Sequence, residues 1–135
     1  MTIRRFPAEV ETGFRHHSGL ESPVREVIRD VGAWTRLWTR LSTSRGGSST
    51  APLVDFSRDM ALVAAMGQRS TGGYETRIES VERTGSGLLV HVVETSPGPS
   101  CGTTGALTRP ADAVLVPRSA LPVEWSVRQV VTDCG

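Results

Sequence analysis

The sequence predicts an α+β fold, mainly antiparallel β: a β-sandwich or open barrel of about seven strands with one packed amphipathic helix. Three observations predict it. Short runs of alternating apolar and polar residues recur between Gly- and Pro-rich breaks, as antiparallel strands require. One segment, Val31 to Leu41, instead repeats its apolar residues at spacings of three and four. A third stretch, Met60-Ala-Leu-Val-Ala-Ala-Met66, is apolar throughout and reads as a central strand covered on both faces.

The N-terminal residues 1–17 read as an extension to a single domain, 18–135. Ile3, Phe6, Val10 and Phe14 are scattered apolar anchors, Pro7 interrupts any long element, and a short strand is expected near Ala8 to Phe14. Val24 to Arg29 alternates as a strand. Asp30 then caps the helix from Val31 to Leu41 or Ser42, with Val31, Trp34, Leu37, Trp38 and Leu41 on one face. Two tryptophans on that face make a large buried anchor, a role favoured over a cofactor groove. Ser42 to Thr50 is a polar, low-complexity linker. Leu53 to Phe56 resumes extended structure, and Asp59 marks a turn.

Gly67 to Tyr74 separates the apolar run from the alternating run Tyr74 to Arg83. It reads as a β-hairpin turn, because glycine takes positive φ with no Cβ clash. Its hydroxyl pair, bare backbone and the chain's one Tyr also suit a recognition loop held on a rigid sheet. Thr84 to Gly87 is a second hairpin turn, leading into a strand from Leu88 to Glu94. A Gly/Pro/Thr loop from Ser96 to Gly105 follows, then strands at Ala113 to Pro117 and Val123 to Val131.

The 135 residues suffice for one domain with a real core. Fifteen basic residues, all Arg, balance 14 acidic ones to a net charge of +1, which argues against nucleic-acid or polybasic membrane binding. With no Asn in the chain, glycine must fill the positive-φ turn positions. No stretch is long enough to span a membrane. Met1 to Val10 lacks the apolar core of a signal peptide, which leaves the cytosol, or the cell envelope after loss of a leader. Cys101 and Cys134 can form one bridge; in a reducing cytosol both would stay free.

Signals for chemistry are weak. Ser18 beside His17 lacks the strand-turn-helix setting of a nucleophile elbow. Cys101 with His91 is the one plausible thiol dyad, but His91 lies mid-strand and Cys101 reads as a loop staple. Cys-x-x-Cys, His-x-His and His-x-x-x-His spacings are absent, and Gly67 to Tyr74 has no P-loop lysine. Glu75, Glu79 and Glu82 form a solvated face. The expectation is a binding protein without catalytic residues, metal or cofactor.

Several stretches in order resemble the PrcB C-terminal-domain family: Ser18-Gly19-Leu20, Val27-Ile28-Arg29-Asp30, Trp34 with Trp38, Val54-Asp55-Phe56, Gly67, and Thr71-Gly72-Gly73-Tyr74. Glu94-Thr95-Ser96-Pro97-Gly98-Pro99-Ser100-Cys101, Ala106-Leu107-Thr108-Arg109-Pro110 and Val123-Glu124-Trp125 continue the resemblance. It implies a non-enzymatic, extracytoplasmic accessory domain whose partner is a protease or protease complex. A looser similarity is to chagasin-type protease inhibitors, which present three loops from a sandwich. Arg69-Ser70-Thr71-Gly72-Gly73-Tyr74 is similar in character to one such loop, and Arg109-Pro110 to another. The candidate partner-binding residues are therefore Arg69, Ser70, Thr71, Gly72, Gly73, Tyr74, Pro97, Gly98, Pro99, Thr103, Thr104 and Arg109.

Overall fold

A computed structural model describes residues 1–42, 50–103 and 105–134. The elements run β1 (Arg4–Arg5), α1 (Ala8–Glu11), β2 (Pro23–Ile28), α2 (Val31–Ser42), β3 (Asp59–Met66), β4 (Glu75–Arg83), β5 (Leu88–Pro97), β6 (Ala111–Pro117) and β7 (Val123–Thr132). They form two sheets, one antiparallel in the order β1-β6-β3-β2, the other in the order β4-β5-β7. The two sheets form an open sandwich rather than a closed barrel.

Strands β3 and β6 are apolar on both faces because both faces are covered. Ala61, Val63, Ala65, Ala111 and Ala113 face α2. These small side chains let Trp34 and Trp38 approach the sheet, with ring centroids 5.6 Å apart; Phe6 stacks on Trp34, and Phe14 meets Trp38 edge-on. On the opposite face Met60, Leu62, Ala64, Val114 and Val116 pack against Ile78, Val81, Leu88, Val90 and Val92 of the second sheet. The result is three layers: helix, four-stranded sheet, three-stranded sheet.

The helix begins where its cap requires. The Asp30 carboxylate accepts the Ala33 N–H at 2.8 Å, and the Asp30 carbonyl accepts the Trp34 N–H. Trp34, Leu37, Trp38 and Leu41 are buried along one face. The linker expected at Ser42 to Thr50 lies, for residues 43–49, outside the described residues.

Several expectations need correction. Ala8 to Phe14 is not a strand. Pro7 occupies the N-cap of α1, where its fixed φ of −55° and missing N–H cost nothing. In the same N-terminal residues β1 pairs with β6, and Phe6 and Phe14 fill the core beneath α2. Leu53 to Phe56 joins no sheet among the described residues; Val54 and Phe56 pack on the helix-side core while Leu53 is fully exposed. The turn near Asp59 falls one step earlier, at residues 56–58, where Asp55 accepts the Ser57 and Asp59 N–H groups, and Asp59 itself opens β3.

One correction bears on the site. Gly67 to Tyr74 is not a hairpin turn, because β3 and β4 belong to different sheets. β3 already has β6 and β2 on its two sides, so no edge remains for β4, and the chain crosses to the other layer instead. The turn at Thr84 to Gly87 does join an antiparallel hairpin, closed by the Thr84 N–H on the Gly87 carbonyl at 2.8 Å. β5 continues to Pro97, so Ser96 and Pro97 are strand rather than loop, and its pairing with β7 is parallel.

Candidate functional site

Four connecting stretches gather at one end of the sandwich: 15–21, 67–74, 97–103 and 105–110. The backbones of three of them, 15–21, 67–74 and 105–110, are zipped together. The N–H of Gln68 donates to the Glu21 carbonyl at 2.9 Å. Arg69 and Thr108 exchange backbone hydrogen bonds of 2.8 and 3.0 Å, and the Thr108 hydroxyl donates to the Thr71 carbonyl at 2.7 Å. Arg109 donates its N–H to His16 and accepts from Ser18, forming a bridge with His17.

Two glycines make this assembly possible. Gly67 has φ +86°, and a Cβ there would lie 3.1 Å from Pro23 and 3.3 Å from the Glu21 carbonyl. Gly73 has φ +93°, and a Cβ there would lie 2.9 Å from the Pro97 ring. Bare backbone at Gly73 therefore seats the 67–74 crossing directly on the start of the 97–103 loop.

That second loop is pinned by a disulfide between Cys101 and Cys134, whose Cα atoms are 4.8 Å apart. The Gly98 N–H donates to the Thr132 carbonyl at 2.8 Å, and the Ser100 hydroxyl bonds Asp133. Loop and C-terminal strand thus move as one unit. The bond also leaves Cys101 without a thiol, and His91 is engaged elsewhere, 2.7 Å from Glu82 on the neighbouring strand. The Ser18 hydroxyl is fully buried and accepts the Leu20 N–H.

The surface made by these loops is a set of shallow clefts. The largest, about 420 Å³, is lined by His16, His17, Gly72, Gly73, Ala106 and Thr108. A second, about 150 Å³, lies between Gly73, Pro97, Gly102, Thr103 and the disulfide. The two share Gly73. A third, about 140 Å³, lies between His17, Ser18, Leu107 and Arg109. The two arginines of the assembly are half-buried and partnered within it. The Arg109 guanidinium donates to Gln68 at 3.0 Å and to Glu21 at 3.1 Å; that of Arg69 lies over the Tyr74 ring, 5.5 Å from its centroid. What faces solvent is mostly small or apolar, including Leu107 at 55% exposure.

Of the candidate residues, Ser70, Gly73, Pro99 and Thr103 are exposed, and Arg69, Thr71, Gly72, Tyr74, Pro97 and Arg109 are half-buried. Gly98 is buried against Asp133 and presents nothing to a partner, because its role is to let the loop meet the C-terminal strand. Thr104 lies outside the described residues. The structure adds His16, His17, Ala106, Leu107 and Thr108, which the sequence did not mark as a site. Only the pairing of distant backbones brings them there, and no local pattern signals it.

Residues 60–117 match the PrcB C-terminal family model. The matched span runs from β3 through the end of β6. It therefore contains the 67–74 crossing, the loop bearing Cys101, and Arg109. The resemblance in 18–56 and 123–125 lies outside it. No match was found among curated proteins or among solved structures.

Proposed function

We propose that this chain is a non-enzymatic protein-interaction domain that binds a protease or protease complex through its loop end. One observation carries the reading: Gly73 seated on Pro97 merges two Gly-rich loops into a single continuous surface. The PrcB C-terminal match covers both loops and supports a protease-complex partner. The character of the surface supports a protein partner too. It is rigid, shallow, poor in free charge and centred on small residues, which suits a complementary protein face better than a small ligand or nucleic acid. The Cys101–Cys134 bond supports an oxidising compartment, and with it the cell envelope over the cytosol. Among the described residues no helix is long and apolar enough to cross a membrane.

The test is capture from native envelope extracts with wild type, Tyr74→Ala and Leu107→Arg. Wild type should recover a protease or its complex, and both variants should lose it while keeping the wild-type melting curve. Equal recovery by all three would remove this surface from consideration. Adding the pure domain to the captured protease separates the two forms of the reading. Undiminished activity fits an accessory domain, and dose-dependent loss of activity fits a loop-borne inhibitor of the chagasin type.

A further inference from the structure

The strand β7 is the outer edge of its sheet, hydrogen-bonded to β5 on one side and to no described strand on the other. From Val123 to Thr132 it carries no proline and pairs with β5 in unbroken register. Such an edge presents a row of free backbone donors and acceptors, and natural sheets cover or block edges of this length. Its inner face, Val123, Trp125 and Val127, is half-buried against the core, while Glu124, Ser126 and Arg128 face outward and are exposed. Arg128 reaches Glu79 at 3.5 Å but stays 63% exposed; Glu124 has no ion-pair partner among the described residues.

These side chains are self-complementary in one register. When two copies of β7 pair antiparallel about a twofold axis, outward residues face outward residues, so the axis passes through a residue position. An axis at Ser126 sets Glu124 opposite Arg128 of the second copy, twice, and Trp125 opposite Val127 of the second copy, twice. An axis at Glu124 or Arg128 sets like charges against each other. An axis at Trp125 or Val127 leaves both charges without an opposite. In the Ser126 register the ladder runs from Val123 to Gln129 and stops at Pro122, which has no N–H to give.

We propose that β7 is a homodimer interface, in which a second copy of this chain extends the three-stranded sheet across a twofold axis at Ser126. Opposite charges directly across a strand pair, and an aromatic beside a β-branched residue, are the contacts that stabilise such ladders. The interface is separate from the loop-end surface in its residues, so each can be tested alone.

The experiment is sedimentation equilibrium of the oxidised chain. Wild type should dimerise. Glu124→Arg and Arg128→Glu should each weaken the dimer by roughly ten- to hundredfold, because each converts both pairs to repulsive ones. The double variant carrying both changes should restore it, since the pairs are then opposite again. Gln129→Pro, which removes a backbone donor facing the free edge, should give a folded monomer. A wild type that stays monomeric up to about 1 mM would overturn the proposal. So would a dimer indifferent to the single reversals, or a double variant no better than the singles. Capture of another protein's extended segment on β7 by a monomeric chain would overturn it as well.

Discussion

At one edge of the three-stranded sheet, the Ile78 N–H of β4 donates to the Asp112 carboxylate at 2.7 Å, and the Ile78 carbonyl accepts from the Arg5 guanidinium. The chain's terminal amine reaches the Val81 carbonyl, and a bulge between Ile78 and Ser80 breaks the register. At the other edge, β7 has no such cover among the described residues. The first edge lies where the two sheets converge, so its polar groups would be buried and must be satisfied from within. Arg5 supplies a twofold contact to Asp112, at 3.0 and 3.1 Å, and completes the joint. In the single chain the second edge lies in solvent, where water satisfies the backbone, and what it must avoid is indiscriminate pairing. A shared chemistry of unpaired strand groups thus has a buried ionic solution on one side and an open, charge-patterned one on the other.

The largest expected effect comes from breaking the closed edge. Asp112→Ala leaves the Arg5 charge and the Ile78 N–H without their acceptor, and should lower the unfolding free energy by about 3–5 kcal/mol in urea titration. Cutting the tether at the far end of the open strand comes next. Removing the Cys101–Cys134 bond, by reductant or by paired Ser substitutions, should cost about 4 kcal/mol on the loop-entropy estimate for its 33-residue separation. Reductant should then have no further effect on the Ser variant. Gly73→Ala is smaller. Its positive φ and the Pro97 ring should together cost about 1–3 kcal/mol, with loss of partner capture beyond that expected from stability.

A pH series sharpens the comparison further. Burial raises the Asp112 pKa above the ordinary 3.8, against the opposing pull of the Ile78 N–H and Arg5. The folded chain therefore holds this proton more tightly than the unfolded chain does. Relative to Asp112→Asn, wild type should keep its full contribution below about pH 4 and lose it as pH rises through the folded pKa. A rising difference over that window would contradict the burial argument. The smallest effect belongs to the open edge. Glu124→Arg should change monomer stability by no more than about 0.5 kcal/mol, since both its head group and its strand face are in water.

Much of the fold was legible because it follows from short-range periodicity. The Trp34, Leu37, Trp38, Leu41 spacing marks α2, and the unbroken apolar run marks β3 as a doubly covered strand. Thr84 to Gly87 reads as a hairpin and is one. The misreadings share a cause. Pro7 can end an element or begin one, and only Phe14 meeting Trp38 shows that it begins α1. The loops at 69–74 and 97–103 were visible as Gly-rich, yet their contact at Gly73 and Pro97, and the arrival of His16, His17 and Leu107 beside them, were not.

By itself the sequence determined which residues turn inward: apolar spacing settles helix against strand, and glycine settles where φ can be positive. Only the tertiary structure decided which strands are neighbours. Gly67 to Tyr74 would serve a hairpin as well as a crossing, and it crosses because β2 and β6 already occupy both sides of β3. The parallel pairing of β5 with β7, the Asp112 joint and the loop-end surface follow from that choice of neighbour. Pairing energy depends on residues far apart in the chain, and local spacing carries no record of it.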